Sequence, residues 1–155
     1  MNFYESLSYY NRFNQLCRER GAPLDVEAGD RLVYQGRAYI VAAAQGDALA
    51  LVDDLTGIPL EPTQILYVHE WEADESCFFL PRIEQMLEVI HRQTGLDPMM
   101  TPGVKETKPV WQLSHPAAPP IVSDSLERGL LELAIRVLEA AGSEPQEASE
   151  EKTIL

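Results

Sequence analysis

The chain is poor in the residues that build several familiar kinds of functional site. Its two cysteines, Cys17 and Cys77, lie far apart without metal-ligand spacing, so we interpret both as buried thiols rather than as zinc ligands. It has no glycine-rich phosphate loop and no Gly-x-Ser-x-Gly elbow. Its three histidines, His69, His91 and His115, sit in unrelated contexts. We therefore expect a protein that is not an enzyme and that binds neither a metal nor a cofactor.

Long apolar runs are also missing. No window approaches the roughly 18 unbroken apolar residues that a membrane-spanning helix needs. The first residues, Met1 to Glu5, lack the basic and apolar regions of a signal peptide. We expect a cytoplasmic protein with no membrane partner, built either as one domain or as one small domain with helical additions.

Basic residues are scarce. The chain has 12 Lys and Arg but 25 Asp and Glu, which gives a formal net charge of −13. The excess is concentrated in residues 21–80, where eleven acids accompany only Arg31 and Arg37. Because like charges repel, this balance disfavours direct binding of nucleic acid. It favours a protein partner with a basic surface.

Short β-rich segments at even spacing lie within this acidic region, and turn-forming residues such as Gln45-Gly46-Asp47 separate them. This spacing is typical of a strand meander that closes into a small barrel, which we place at residues 24–77. The predicted strands are Arg31–Gln35, Arg37–Val41, Ala48–Val52 and Ile65–Val68.

Three other segments have apolar residues at three- and four-residue steps, the periodicity of amphipathic helices. They predict an N-terminal helix within residues 1–21, a helix over 81–93 and a closing helix over 125–141 that ends at Gly142. The proline-rich stretch 96–120 between the last two is predicted to be mostly loop, with Val110–Leu113 as its one strand. Residues 78–142 thus form a helix-strand-helix region, and the acidic tail 143–155 is predicted to be disordered.

The start of the barrel segment resembles a known fold. In Gly29 to Val41, a Gly-Asp pair is followed by two predicted strands around Gly36, which is similar to the opening hairpin of small SH3-like barrels. The resemblance implies such a barrel over Gly29–Val68 and no particular activity. The predicted fold class is α+β: a small SH3-like β-barrel preceded by one helix and followed by two helices and a short strand or hairpin.

A second resemblance covers the later part of the chain. The motif Phe79-Leu80-Pro81-Arg82-Ile83-Glu84-Gln85, together with the leucine-rich closing helix, is similar to a class of small uncharacterised phage and prophage proteins. Those proteins also have a strand pair before the closing helix, and here that pair is only half visible. The resemblance implies a phage or mobile-element origin and carries over no catalytic residue.

The acidic segment after the last predicted strand has two interpretations. In an extended chain Glu70, Glu72 and Asp74 would share one face, as a carboxylate site for a divalent metal or an acid/base pair requires. Acidic runs are more often solvated, and no fixed histidine or glycine-rich loop accompanies this one. A solvated charged edge is therefore the favoured interpretation.

Two functions of a binding module remain open. The first is an inhibitor whose acidic surface occupies the basic nucleic-acid channel of a host nuclease, as DNA-mimicking anti-CRISPR inhibitors do. The second is a phage structural or accessory protein that docks through its aromatic N-terminal helix or through a tryptophan. The candidate partner-binding residues are Asp53, Asp54, Glu70, Glu72, Asp74, Glu75, Tyr9 and Trp111.

Overall fold

A computed structural model of the chain describes the backbone of residues 3–55, 65–73 and 76–154, and the side chains of residues 6–55, 65–71 and 76–142. The chain forms two compact units. Unit 1 comprises Met1–Gln15 and Leu24–Arg82, and unit 2 comprises Leu16–Pro23 and Ile83–Leu155. Helix α1 (Phe3–Glu19) therefore contributes residues to both units.

Unit 1 is built on a five-stranded antiparallel sheet that curls into a half-barrel. Its first four strands form a meander, and the fifth returns to pair with the first, so the order across the sheet is β4-β3-β2-β1-β5. A bulge between Val41 and Ala43 bends the long second strand. The strands are β1 (Arg31–Tyr34), β2 (Arg37–Gln45), β3 (Ala48–Asp53), β4 (Leu66–Tyr67) and β5 (Cys77–Leu80).

The β1–β2 hairpin follows from its turn residues. Gln35 and Gly36 both have positive φ angles, 51° and 81°, as the two central residues of a type I′ turn require. Residues alternate between the two faces of each strand, so Leu32 in β1 and Leu49 and Leu51 in β3 enter the core.

The segment after β4 corrects the predicted strand over 65–68 and the extended acidic segment behind it. Only Leu66 and Tyr67 form a strand, and helix α2 (Val68–Ala73) follows at once. A helical turn carries Trp71 into the core, where it is almost completely buried. The free energy of burying this indole outweighs the local β-propensity of the Tyr-Val pair. Glu70 and Glu72 consequently lie on a helix and do not share a strand face.

The sheet also extends beyond the predicted end of the barrel at Cys77. Strand β5 pairs with β1 over its whole length, and Cys77 and Phe79 are buried while the residues between and after them are half-buried. This alternation marks a strand with one face in the core. Phe79 therefore belongs to the sheet.

Unit 2 combines two helices with a three-stranded antiparallel sheet of order β6-β7-β8. The closing helix α4 packs on β7, on β8 and on α3. Its core is aliphatic, with Met86 and Ile90 from α3, Leu113 from β7, and Leu130 and Leu133 from α4 completely buried. The elements are α3 (Ile83–Thr94), β6 (Met99–Lys105), β7 (Lys108–His115), β8 (Ala118–Ser123) and α4 (Leu126–Ile154).

This second sheet confirms the predicted strand Val110–Leu113, which lies in β7 and pairs with β6, and corrects the loop predicted for the rest of residues 96–120. Prolines argued against strands there because proline cannot donate a backbone hydrogen bond. In the sheet they occupy positions where one side of the strand has no partner. Pro109 in the central strand precedes Trp111, the first residue of β7 that pairs with β8. Pro102 in β6 and Pro119 and Pro120 in β8 lie in the outer strands, and Pro98 and Pro116 lie outside the strands.

Helix α4 continues past Gly142, where the sequence predicted its end, and residues 143–154 of the predicted disordered tail have helical backbone. The guanidinium of Arg20 lies where a Cβ on Gly142 would project, and its Nε donates a hydrogen bond of 3.0 Å to the carbonyl of Leu138. Glycine thus permits a close approach at this point and does not mark a C-cap.

None of the helices in the described residues is long and apolar enough to span a bilayer.

Candidate functional site

Two groups of acidic residues in unit 1 lie at the two ends of β3. Asp53 and Asp54 lie at its C-terminal end, and Asp47 directly precedes its first residue, Ala48. At a rise of about 3.3 Å per residue these ends are about 17 Å apart. The two groups differ in what neutralises them.

At the C-terminal end of β3, arginines pair with both predicted partner-binding carboxylates. Asp53 is only 7% exposed and accepts hydrogen bonds from Arg37 Nη2 and from the backbone N–H of Leu55, each at 2.9 Å. Asp54 accepts a hydrogen bond from Arg31 Nη2. These contacts hold both carboxylates in intramolecular ion pairs.

A third arginine binds the buried aspartate of the Gly29-Asp30 pair. The Asp30 side chain is 2% exposed and accepts hydrogen bonds from Arg82 and from the backbone N–H of Glu27. Arg82 also lies 3.4 Å from the Glu27 carboxylate and donates to the Asp25 carbonyl at 3.0 Å. Arg82 thus stabilises the entry to β1.

The opposite end of β3 has a different composition. Asp47 Oδ2 lies 2.8 Å from His69 Nδ1, and the two side chains are 59% and 65% exposed. The His69 ring stacks on Tyr67, with centroids 5.6 Å apart and planes at 25°. Tyr67 remains 41% exposed, and Glu70 is exposed at the next position of α2. We call Asp47, Tyr67, His69 and Glu70 the hairpin surface.

Several contacts hold the hairpin surface in place. Tyr67 lies opposite Ala48 in the β3–β4 ladder, and the Val68 N–H donates a hydrogen bond of 2.8 Å to the Asp47 carbonyl. Beneath them, Trp71 Nε1 donates a hydrogen bond of 2.7 Å to Asn14 Oδ1. The start of α2 is therefore fixed both to the β2–β3 turn and to the core of unit 1.

The other predicted partner-binding residues are not brought together. Tyr9 is partly exposed on α1 in unit 1, and Trp111 is half-buried in β7 of unit 2, on the sheet face that carries Leu113. The side chain of Glu72, and Asp74 and Glu75 altogether, lie outside the described residues.

Sequence reasoning missed three of the four residues of the hairpin surface. Tyr67 and His69 stack across the junction of β4 and α2, so the rule that residues two apart share a face of an extended chain does not account for their contact. Asp47 was interpreted only as a turn residue, because no local pattern indicates a partner 22 positions later.

Unit 2 contains a second polar cluster, at a cleft of about 290 Å³ between the end of α3, the β7–β8 turn and α4. The imidazole of His115 is buried there. The Ala117 N–H donates to its Nδ1 at 3.0 Å, so the proton lies on Nε2, which is 3.1 Å from Thr94 Oγ1 and 3.2 Å from the Leu96 carbonyl. Both ring nitrogens are thus used to join the turn to α3.

The thiols have the properties of structural cysteines. Neither Cys17 nor Cys77 forms a disulfide, and both are buried, which confirms the prediction of two buried thiols. Burial raises the pKa of the Cys17 thiol to about 12 and outweighs the opposite effect of the adjacent Arg18. A thiol that is protonated at neutral pH is a poor nucleophile and a poor metal ligand.

The described part of the chain has no group of three or more His, Cys, Asp or Glu residues that could hold a metal ion. The Asp47–His69 pair of unit 1 is an exposed contact between a carboxylate and an imidazole ring.

Comparisons of the chain with family models, with curated proteins and with solved structures gave no match. Over the residues that the structure describes, the chain is an α+β protein with a curled antiparallel sheet and four helices.

Proposed function

We propose that the protein is a non-catalytic binding module that docks a basic protein partner on the hairpin surface. The distribution of ion pairs in unit 1 carries this proposal. Arg31, Arg37 and Arg82 pair with acids away from the β2–β3 turn, whereas His69 is the only side chain that pairs with Asp47 among the described residues. The resulting negative surface attracts a basic partner and orients it on approach.

We further propose that the sheet of unit 1 belongs with the small SH3-like barrels. The return of β5 to β1, the four-strand meander and the bulge in β2 support this, because together they make a curled five-stranded antiparallel sheet. A rigid scaffold of this kind suits a binding module because its loops keep their positions.

Inhibition of a host nuclease or other nucleic-acid-binding protein by charge mimicry is the form of this function that we favour. The net charge of −13 supports it, and so does the resemblance of Phe79–Gln85 to phage and prophage proteins, with the phage or mobile-element origin that it implies. Since Asp53 and Asp54 are held in ion pairs, we assign the mimicry to Asp47 and Glu70.

Partner capture from a host-cell lysate tests the proposal. The full chain and its Asp47→Asn/Glu70→Gln variant serve as baits, and Glu88→Gln/Asp97→Asn is the matched control with the same change in net charge. Glu88 and Asp97 are acids of unit 2. We expect a basic protein that binds the wild type and the control but not the hairpin variant.

The captured protein is then purified and its affinity is measured as a function of salt. Because surface charges are screened, we expect binding to weaken by about tenfold or more between about 50 mM and about 500 mM salt. Equal capture by all three baits, or affinity independent of salt, would contradict the proposal.

The alternative is an accessory protein that docks through α1. The partial exposure of the Tyr9 ring supports this, since large apolar groups at the surface are common interface anchors. Tyr9→Ala in the same capture experiment distinguishes the two. Loss of the partner with Tyr9→Ala, and its retention with Asp47→Asn/Glu70→Gln, would favour the alternative.

A further inference from the structure

We infer that the hairpin surface recognises an arginine side chain of its partner, with the guanidinium stacked on Tyr67 and hydrogen-bonded to Asp47. The inference rests on the proposed function, because it specifies the chemistry of the group that this surface binds. Three features of the described residues support it.

The first feature is an aromatic ring that remains open to solvent. His69 stacks against one face of Tyr67, yet 41% of the tyrosine stays exposed. Ile65, two residues earlier, is also exposed, whereas Leu66 between them is buried. A planar guanidinium stacks on such a ring, and its aliphatic stem packs against the neighbouring apolar surface.

The second feature is a carboxylate with unused acceptor capacity. Asp47 Oδ2 is bonded to His69 Nδ1, and within the described residues the carboxylate has no other partner. Its second oxygen can accept a hydrogen bond from a guanidinium that lies over the tyrosine. Glu70, which has no ion pair among the described residues, adds a second negative charge at the next position after His69.

The third feature is that the site is already assembled. The hydrogen bond from the Val68 N–H to the Asp47 carbonyl fixes the β2–β3 turn beside the tyrosine. The stacked histidine, held by the same aspartate, fixes the tilt of the ring. A preorganised site loses little conformational entropy on binding, so a single side chain of the partner can contribute measurably.

Charge decides between the two kinds of group that could stack on Tyr67. A nucleobase also stacks on aromatic rings, but it brings a phosphate toward Asp47 and Glu70 in a chain of net charge −13. An arginine brings a cation and five N–H donors in a fixed fork. A lysine brings the same charge without the planar stacking surface.

Fluorescence anisotropy with two labelled peptides tests the inference. One peptide consists of Gly-Arg-Ser repeats, and the other has the same number of Gly-Lys-Ser repeats. We expect the full chain to bind the arginine peptide about two- to fivefold more tightly, the range of an exposed cation–π contact. Tyr67→Leu should abolish this preference and leave weaker, charge-driven binding, whereas Tyr67→Phe should retain it.

Asp47→Asn should weaken binding of the arginine peptide more than binding of the lysine peptide, and Glu88→Gln in unit 2 should weaken neither. The melting temperature of each variant verifies that it is folded. Equal affinity for the two peptides would overturn arginine recognition and leave the proposed function standing. Failure of the wild type to bind either peptide would overturn both. Tyr67-dependent binding of a labelled oligothymidine would overturn the inference in favour of a stacked base.

Discussion

The side-chain oxygen of Asn14 in α1 accepts a hydrogen bond of 2.7 Å from the indole nitrogen of Trp71 in α2, and both side chains are buried. The same amide accepts from the Phe79 N–H and donates to the Phe79 carbonyl, each at 2.8 Å, and donates to the Tyr10 carbonyl at 2.7 Å. It therefore pairs with the outer edge of β5 as a neighbouring strand would. All four hydrogen-bonding positions of the amide are used.

Replacing Asn14 with alanine should destabilise the protein by about 3 kcal/mol or more. The change leaves the Trp71 N–H and both backbone groups of Phe79 buried without their partner, and each such group costs about 1–3 kcal/mol. Urea denaturation measures the free energy of unfolding. Asn11→Ala in the same helix is the matched control, because the buried side-chain oxygen of Asn11 has no hydrogen-bond partner among the described residues. Equal losses in the two variants would contradict the assigned role of Asn14.

The ion pair between Asp30 and Arg82 should show strong energetic coupling. Asp30→Asn leaves Arg82 beside an uncharged side chain, which should cost about 2–4 kcal/mol because the aspartate is buried. Arg82→Leu should cost a similar amount, and the double variant less than the sum of the two. Asp54→Asn, which breaks the exposed pair with Arg31, should cost less than about 1 kcal/mol. Additive losses from Asp30→Asn and Arg82→Leu would show that the two residues act independently.

Two glycines of α4 should respond differently to alanine. A Cβ on Gly129 would lie 2.7 Å from Leu113 Cδ1 and 2.9 Å from Ser123 Cβ, where the helix crosses the sheet. We expect Gly129→Ala to destabilise the protein by about 1–3 kcal/mol. Gly142→Ala should change the free energy of unfolding by less than about 1 kcal/mol, since only the flexible end of Arg20 must move and alanine favours the helix. Thermal and urea unfolding measure both, and a larger loss from Gly142→Ala would reverse this assignment.

Alkaline pH should destabilise the protein through Cys17. Burial raises the pKa of this thiol to about 12, so the folded chain keeps the proton that the unfolded chain releases above its ordinary pKa of 9.0. The stabilisation is complete below that value and is lost as the pH rises toward the folded pKa. Relative to Cys17→Ala, the wild type should lose about 1.4 kcal/mol per pH unit between pH 9.0 and about 12. Parallel stability curves for the two proteins would contradict the shift.

The features that were predicted correctly depend on neighbouring residues. The β1–β2 hairpin was visible because Gln35-Gly36 provides both positive φ angles of its turn between two alternating strands. Likewise, the three- and four-residue steps that predicted a helix over 81–93 depend only on the chain's own period, and α3 spans Ile83–Thr94. Both predictions were correct because the apolar residues of these elements are also buried in the folded protein.

The errors occurred where distant partners outweighed local preference. Val68 favours a strand, yet α2 begins there because Trp71 is buried and hydrogen-bonded to Asn14, 57 positions away in the chain. Proline disfavours strands, yet Pro102 lies in β6, because the outer strand of a sheet leaves one side unpaired. Neither partner nor strand order can be read from a window of a few residues.

The excess of negative charge in residues 21–80 follows from composition, and so does the expectation of a basic partner. Which carboxylates are left without an arginine partner depends on pairing over long separations in the chain. In the fold, Asp53 and Asp54 form ion pairs with arginines. Asp47 instead pairs with His69, whose ring stacks on the exposed Tyr67. Ion pairs form between groups that are close in space, and here sheet register, not sequence distance, brings those groups together.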